Sequence, residues 1–186
     1  MTIIDWLSQA LFNYCGLEPD PLDPTVARTV LDWMEQSAVG ACVAQTAAGY
    51  YIFLGFHAMG LAMIVGALMI VDLRVFGFAR GISAQGLPKF VTIGWWGFWI
   101  NAISGVFILF SEANKMYPDV TFRWKLFLIL VGMITTTIFN STILKPAAAG
   151  NTALLESFSA KGQALFSMAL WLAVIITGRM IAYLHG

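Results

Sequence analysis

Four long apolar segments constrain this chain more than any other feature of its sequence. They cover about residues 48–71, 91–110, 122–143 and 163–184. Each is close to the length of about 20 apolar residues that an α-helix needs to cross the hydrocarbon core of a bilayer. Segments rich in glycine, proline and charged residues separate them, as connecting loops do. The pattern predicts an all-α membrane protein built as a bundle of four transmembrane helices.

The composition favours the same class. Of the 186 residues, 59% are hydrophobic and 11% are charged, whereas soluble domains carry about 25% charged residues. So few charges would not cover a soluble globule of this size, but a protein surrounded by lipid needs no such cover. The formal net charge is zero, so nothing indicates a nucleic-acid partner. The partners that we expect are the lipid bilayer and either other membrane-protein subunits or further copies of this chain.

The N-terminal part differs from the rest. Residues 1–14 are amphipathic and too short to span a membrane, and residues 17–24 form a loop rich in proline and acidic residues. A second short helix is predicted at about 25–38. We therefore divide the chain into an N-terminal amphipathic, interfacial region, 1–38, and a four-helix transmembrane domain, 39–186.

The orientation in the membrane follows less directly from the sequence. Four spans place both termini on one side. The loops at 72–90 and 144–162 carry as many lysines and arginines as the opposite side, so the positive-inside rule alone does not decide. Several cations of the opposite side lie within helix ends, however, and the N-terminal tail is acidic. We therefore predict a multi-pass protein of the bacterial inner (cytoplasmic) membrane with both termini in the periplasm.

The two cysteines, Cys15 and Cys42, are too far apart for a CxxC or haem-attachment motif. In the predicted orientation both face an oxidising compartment, where they could form a disulfide that ties the N-terminal region to the first span. The alternative is two buried free thiols, because cysteine in membrane helices commonly serves as packing material. The sequence leaves both alternatives open.

Ionisable groups inside a span are functional candidates by default because burying them in lipid is costly. His57 lies in the first span, and Gly60, one turn on, would leave room beside the ring. A haem edge, a quinone edge or a close helix crossing would each need such room. Arg179 lies near the end of the fourth span at a similar expected depth, with Tyr183 one turn beyond. The sequence thus predicts a polar cluster in the outer third of the membrane.

Three interpretations of this cluster remain open. Its members could hold helices together and reach the headgroups, or they could bind a quinone or lipid headgroup. Alternatively, His57 could ligate haem b, which would be its only role as a metal ligand, with Arg179 meeting a propionate. The only other histidine, His185, lies next to the last residue, which argues against a bis-histidine haem.

Other polar residues of the spans have structural interpretations. Asp72 and Arg74 flank the cytoplasmic end of the first span and are expected to form interfacial charge pairs, with each other or with Arg80 and Lys145. Asn101 and Asn140 lie within spans and are expected to form hydrogen bonds between helices. Serines of the spans have no partner base, and no glycine-rich phosphate loop is present, so we predict no catalytic residue.

Short motifs in a fixed order give the chain a family resemblance. They are LDWMEQS at 31–37, HxxG at 57–60, DLRxxG at 72–77, FRWK at 122–125 and GRxxAY at 178–183. Over about residues 30–184 the chain is similar to an uncharacterised bacterial family of small four-helix membrane proteins.

The resemblance implies four helices in the inner membrane and no assigned activity. It marks His57, Asp72, Arg74 and Arg179 as recurring polar residues. A more distant likeness, to cytochrome b561-type and copper-resistance membrane domains, is one of fold alone.

We therefore expect a small integral membrane subunit or accessory protein of a larger membrane assembly, without catalysis of its own. The motivation is a chain that lies almost wholly in the membrane, lacks a catalytic constellation and has an N-terminal region able to dock on a partner. The alternative is a membrane redox module that binds one haem b or a quinone near His57. Small-molecule or ion transport is a third hypothesis, which the few polar positions of the spans support least.

Overall fold

The computed structural model describes residues 30–46, 48–116 and 119–184. These residues form helices joined by short connections, and no strand occurs among them. The predicted all-α class is confirmed. The predicted amphipathic segment 1–14 and loop 17–24 lie outside the described residues, as does the first part of the short helix expected at 25–38.

In chain order, the α-helices of the described residues are α1 (Val30–Gln36), α2 (Ala38–Gln45), α3 (Gly49–Phe76), α4 (Leu87–Ser111), α5 (Ala113–Met116), α6 (Val120–Phe139), α7 (Lys145–Ala148) and α8 (Phe158–Leu184). A 3₁₀ turn at Ala84–Gly86 leads into α4, and another at Thr152–Glu156 precedes α8. A π-helical segment, Asn140–Leu144, joins α6 to α7 without a break.

Four helical stretches of the described residues are long and apolar enough to cross a membrane: Gly49–Phe76, Ala84–Ser111, Val120–Ala148 and Phe158–Ile181. The longest has 29 residues, which corresponds to roughly 43 Å at 1.5 Å per residue and exceeds the ~30 Å hydrocarbon core. The helices therefore tilt or extend into the headgroup layers. They are longer than the apolar segments of the sequence because helical structure continues past the first charged residues.

The end of α3 shows how a helix continues beyond its apolar segment. The N–H of Phe78 donates to the carbonyl of Leu73 at 3.0 Å, and the N–H of Gly77 donates to the carbonyl of Arg74 at 3.1 Å. This is the Schellman pattern, which needs a left-handed residue after the last helical one. Gly77 supplies it with a φ of 87°. Asp72 and Arg74 consequently lie within the last turns of the helix and not in a loop.

The π-helical segment between α6 and α7 has a cause in the sequence. Pro146 has no N–H, and its ring collides with the carbonyl four residues earlier in a regular α-helix. The N–H of Lys145 instead reaches back five residues to the carbonyl of Asn140, which widens the helix by one residue at this turn. Leu144 is fully buried here.

By their contacts the described residues divide into two compact units, one within 30–59 and 100–116 and the other within 60–99 and 119–184. We call them unit 1 and unit 2. Helices α3 and α4 contribute to both.

In unit 1, α1 packs on the end of α4 and on α5. The ring of Trp33 meets that of Phe110 edge-on, with centroids 6.2 Å apart. Asn114 on α5 donates from its side chain to Asp32 at 2.9 Å and to Glu35 at 3.0 Å, and its backbone N–H donates to Glu35 at 2.8 Å. Phe53 stacks on Phe107 farther along α3 and α4. Unit 1 is thus held together by aromatic contacts and, at one end, by the hydrogen bonds of Asn114 with Asp32 and Glu35.

In unit 2, glycines let helices approach each other closely. A Cβ on Gly97 of α4 would lie 2.8 Å from the carbonyl oxygen of Gly60 on α3. A Cβ on Gly132 of α6 would lie 2.8 Å from the Leu170 side chain of α8. Small residues at such crossings are a general feature of membrane helix bundles, because without them the backbones could not come into contact.

Candidate functional site

His57 and Asn101 join α3 to α4 in unit 1 through two reciprocal hydrogen bonds. The side-chain amide of Asn101 donates to the carbonyl of His57 at 2.7 Å. Nδ1 of His57 lies 2.9 Å from the carbonyl oxygen of Asn101. A carbonyl oxygen only accepts, so Nδ1 carries the hydrogen in this bond. Each residue therefore binds the other's backbone, which fixes the rotation of both helices at this level.

The imidazole of His57 fits into a recess on α4. A Cβ on Gly105 would lie 3.1 Å from Cε1 of the ring, so the absence of a side chain there makes the room. Ser104 is buried beside it, with its Oγ 3.4 Å from Nδ1, and donates to the carbonyl of Ile100 at 2.6 Å. From the sequence, Ser104 is only one of the serines without a partner base, apart from chance proximity to His57, and Gly105 is not singled out. The signal was present, since Asn101, Ser104 and Gly105 recur at helical spacing.

The other members of the cluster predicted around His57 belong to unit 2 or lie outside the described residues. Gly60 belongs to unit 2, where its carbonyl oxygen stands at the crossing with Gly97. Arg179 also belongs to unit 2 and has an exposed side chain on α8. The side chain of Tyr183 and all of His185 lie outside the described residues. The grouping of His57 with Arg179 and Tyr183 stays a prediction.

A second polar group lies in unit 2, around Asp72. Only 2% of Asp72 is exposed, and its carboxyl group forms a hydrogen bond with the side chain of Ser167 on α8. Arg74, two residues further along α3, turns away and donates from Nε to the carbonyl of Ile82 at 2.7 Å. The two residues expected to form interfacial charge pairs thus have different partners.

Asp72 lines a small cavity between helices of unit 2. Its volume is about 10 Å³, which is the space that one water molecule needs. Its polar lining consists of Asp72, Thr135, Thr136, Gln163 and Ser167, and its remaining walls are mostly apolar. Gln163 donates from Nε2 to the carbonyl of Thr135 at 3.3 Å. The cavity therefore places one carboxyl group and several hydroxyl groups around a space for one small occupant.

Sequence reasoning found Asp72 but not the other polar residues of the cavity. Gln163 and Ser167 stand four residues apart, on one face of α8, near the start of an apolar span. Thr135 and Thr136 come from the last two turns of α6 and look like ordinary packing residues. Polar residues at i and i+4 in an otherwise apolar helix are the signal that was missed. That these residues meet Asp72 depends on tertiary packing.

Two buried polar atoms have no hydrogen-bond partner among the described residues. They are Oδ1 of Asn140 and Nε1 of Trp171. Asn140 was expected to bond to a neighbouring helix, and its Oδ1 shows no such bond. The indole ring of Trp171 packs against Gly132 of α6: a Cβ on Gly132 would lie 3.1 Å from Cζ2 of the ring.

Cys42 is half-buried on α2 and is disulfide-bonded. Cys15, the other cysteine of the chain, lies outside the described residues. A bond between Cys15 and Cys42 stays a prediction.

Within the described ranges no group of three or more histidine, cysteine or acidic side chains could hold a metal ion. The described residues are organised by hydrogen bonds between helices, close glycine crossings and one small polar cavity. They define a multi-pass membrane protein of the four-helix class.

The chain belongs to a family of unknown function, DUF6644, whose model matches residues 30–184. No curated protein and no solved structure matches the chain.

Proposed function

We propose that the chain is a small membrane subunit or accessory protein that binds a further membrane helix along one side of α3. The partner helix comes from another protein or from a second copy of the chain. We also propose that the chain resides in the bacterial inner membrane. Both of its termini then lie in the periplasm, which is the orientation favoured by the distribution of charged residues along the sequence.

The exposed face of α3 supports this proposal most directly. Gly55, Ala58, Ala62 and Gly66 follow each other at helical spacing, and all are exposed. A Cβ on Gly55 or on Gly66 would meet no atom within 4 Å. Small residues of this spacing let a second helix approach closely in lipid, where packing and not the hydrophobic effect drives association.

The glycines in contact with other helices provide the comparison. Gly60 and Gly97 lie at a close crossing of two helices of the chain, whereas Gly55 and Gly66 are glycines on an open surface. Glycine lowers helix stability by about 0.5–1 kcal/mol relative to alanine. A partner helix on this face offsets that cost, and lipid alone does not.

The experiment measures the size of the assembly after solubilisation in a mild detergent, by native electrophoresis and by crosslinking in the membrane. The test variant carries Gly55→Leu and Gly66→Leu together. The matched control is Gly162→Leu, because Gly162 on α8 is equally open. We expect the wild type and the control to migrate as an assembly and the test variant to dissociate. A wild type that is monomeric in both assays, or a test variant that assembles normally, would refute the proposal.

A second candidate function is binding of one haem b or a quinone at His57. One observation favours it: Nδ1 of His57 is engaged by a backbone carbonyl. That arrangement orients histidines that ligate a metal through the other ring nitrogen.

An absorption spectrum and an organic extract of the purified protein test this candidate. A Soret band lost in His57→Ala but kept in Ser104→Ala would support haem. A quinone lost from the extract of the same variant would support quinone. A colourless, quinone-free protein would exclude both.

A further inference from the structure

We propose that the cavity beside Asp72 binds a single dehydrated monovalent cation, and that Na⁺ fits it. The inference goes beyond the proposed subunit function, because it concerns a site enclosed within unit 2 and not the exposed face of α3. It depends on the charge, the ligand atoms and the size of the cavity.

The negative charge of an ionised Asp72 carboxyl group in the cavity is neutralised by one positive charge. Among the described residues that line the cavity, Asp72 alone is ionisable. Arg74 on the same helix bonds to the Ile82 carbonyl. Among the described residues, most of the other charged side chains on the elements packed around the cavity are exposed: Lys89, Arg123, Lys145, Glu156, Lys161 and Arg179. Lys125 is half-buried near the start of α6, ten residues before Thr135 of the cavity lining. A carboxylate enclosed in a membrane bundle is costly without a counter-charge. One monovalent ion neutralises it, whereas a divalent ion would leave an excess positive charge.

The available ligands are oxygen atoms, which hard cations prefer. Besides the Asp72 carboxyl group, the cavity has the hydroxyl groups of Ser167, Thr135 and Thr136. The Thr135 hydroxyl already donates its hydrogen to the carbonyl of Val131 at 2.8 Å. Its oxygen is therefore restricted to accepting a hydrogen bond or ligating a cation.

The size of the cavity selects the form of the occupant. A volume of about 10 Å³ accommodates one water-sized particle, so an ion enters only after it has lost its hydration shell. The protein oxygens must then replace the shell. The π-helical segment contributes Leu144 to the wall, and irregular helical backbone at membrane depth is typical of places where it lines a cavity or an ion site.

Thermal unfolding of the full chain in detergent tests the proposal. The melting temperature, Tm, is measured in NaCl, KCl and choline chloride at equal ionic strength. An ion that binds only the folded state raises Tm by mass action, on the order of 3–6 °C at ten times its Kd. We expect a rise in NaCl over choline chloride for the wild type and a smaller rise in KCl, because K⁺ is larger.

Variants then locate the effect. Asp72→Asn keeps the shape of the side chain but removes its charge, and it should make Tm the same in all three salts. Should this variant fail to fold, Ser167→Ala keeps the carboxylate, and we expect it to shift the Na⁺ dependence of Tm to higher concentration. The control Glu156→Gln removes an exposed charge and should respond to Na⁺ as the wild type does.

Three outcomes would overturn the proposal. A wild-type Tm that is equal in all three salts would show that the cavity holds water only. A response to K⁺ equal to that to Na⁺ would contradict the size argument. An Na⁺ effect that persists unchanged in both Asp72→Asn and Ser167→Ala would place the ion elsewhere.

Discussion

The Nδ1 atom of His57 lies 2.9 Å from the carbonyl oxygen of Asn101, and the Asn101 side chain returns a hydrogen bond of 2.7 Å to the carbonyl of His57. Each side chain thus uses a backbone acceptor of the opposite helix. A carbonyl in the middle of a helix normally receives one bond from its own helix, and here it uses its second lone pair. Helices α3 and α4 are therefore held in register by two hydrogen bonds at this point.

Loss of this pair should weaken the fold measurably. We expect Asn101→Ala to lower the free energy of unfolding by roughly 0.6–2 kcal/mol, since hydrogen bonds between membrane helices contribute about 0.6 kcal/mol on average and a buried polar group left without its partner adds to the loss. Denaturation in mixed detergent micelles measures this change in the free energy of unfolding. Asn140→Ala is the matched control, because Oδ1 of Asn140 has no hydrogen-bond partner among the described residues, and it should cost less. Equal losses in both variants would contradict this account of the pair.

The recess that receives the imidazole should be sensitive to a single methyl group. We expect Gly105→Ala to lower Tm, because its Cβ would lie 3.1 Å from Cε1 and 3.2 Å from Nδ1 of His57. A ring that moved away from the new methyl group would strain its hydrogen bond to the carbonyl of Asn101. Gly162→Ala introduces the same change on an open surface of α8, where the higher helix propensity of alanine should leave Tm unchanged or raise it. If Gly105→Ala is as stable as Gly162→Ala, the ring does not depend on this recess.

The fold class could be predicted from the sequence because lipid imposes a strict rule on it. Each apolar segment must satisfy its own backbone hydrogen bonds, so its length alone indicates a spanning helix. The helix ends were less predictable. The turn at Gly77 depends on a left-handed glycine, and the helix reaches it only after passing two charged residues.

For the site residues, too, the sequence predicted only a part: the polar residues but not their partners. His57, Asp72 and Asn101 stood out because each is a polar residue in an apolar segment. Their partners did not stand out, since Gly105 and Ser167 are ordinary residues of membrane helices. Which residue fills the space beside an imidazole depends on the rotation and depth of two helices, and hydrophobic periodicity does not determine these for a helix that is apolar on all sides.

Asn114 should control the attachment of α1 within unit 1. Its side chain and backbone N–H bond to Asp32 and Glu35. We expect Asn114→Ala to remove the side-chain bonds and to increase hydrogen exchange in α1 about five- to thirtyfold, which corresponds to a local loss of 1–2 kcal/mol. Lys115→Ala, next in sequence, is the control. Unchanged exchange in α1 would show that the ring contact of Trp33 with Phe110 suffices to hold it.

The crossing of α3 and α4 in unit 2 offers the sharpest comparison, because two glycines one turn apart on α4 face different surroundings. A Cβ on Gly97 would lie 2.8 Å from the backbone carbonyl of Gly60, whereas a Cβ on Gly94 would lie 3.5 Å from the side chain of Leu68, an ordinary contact. A backbone cannot move aside without separating the helices. We therefore expect Gly97→Ala to lower the free energy of unfolding by about 1–3 kcal/mol through overpacking. Gly94→Ala should be neutral or slightly stabilising, since alanine favours the helix. Unfolding of both variants in the same detergent measures the difference. Equal stabilities would mean that α3 and α4 do not cross in close contact at Gly60 and Gly97.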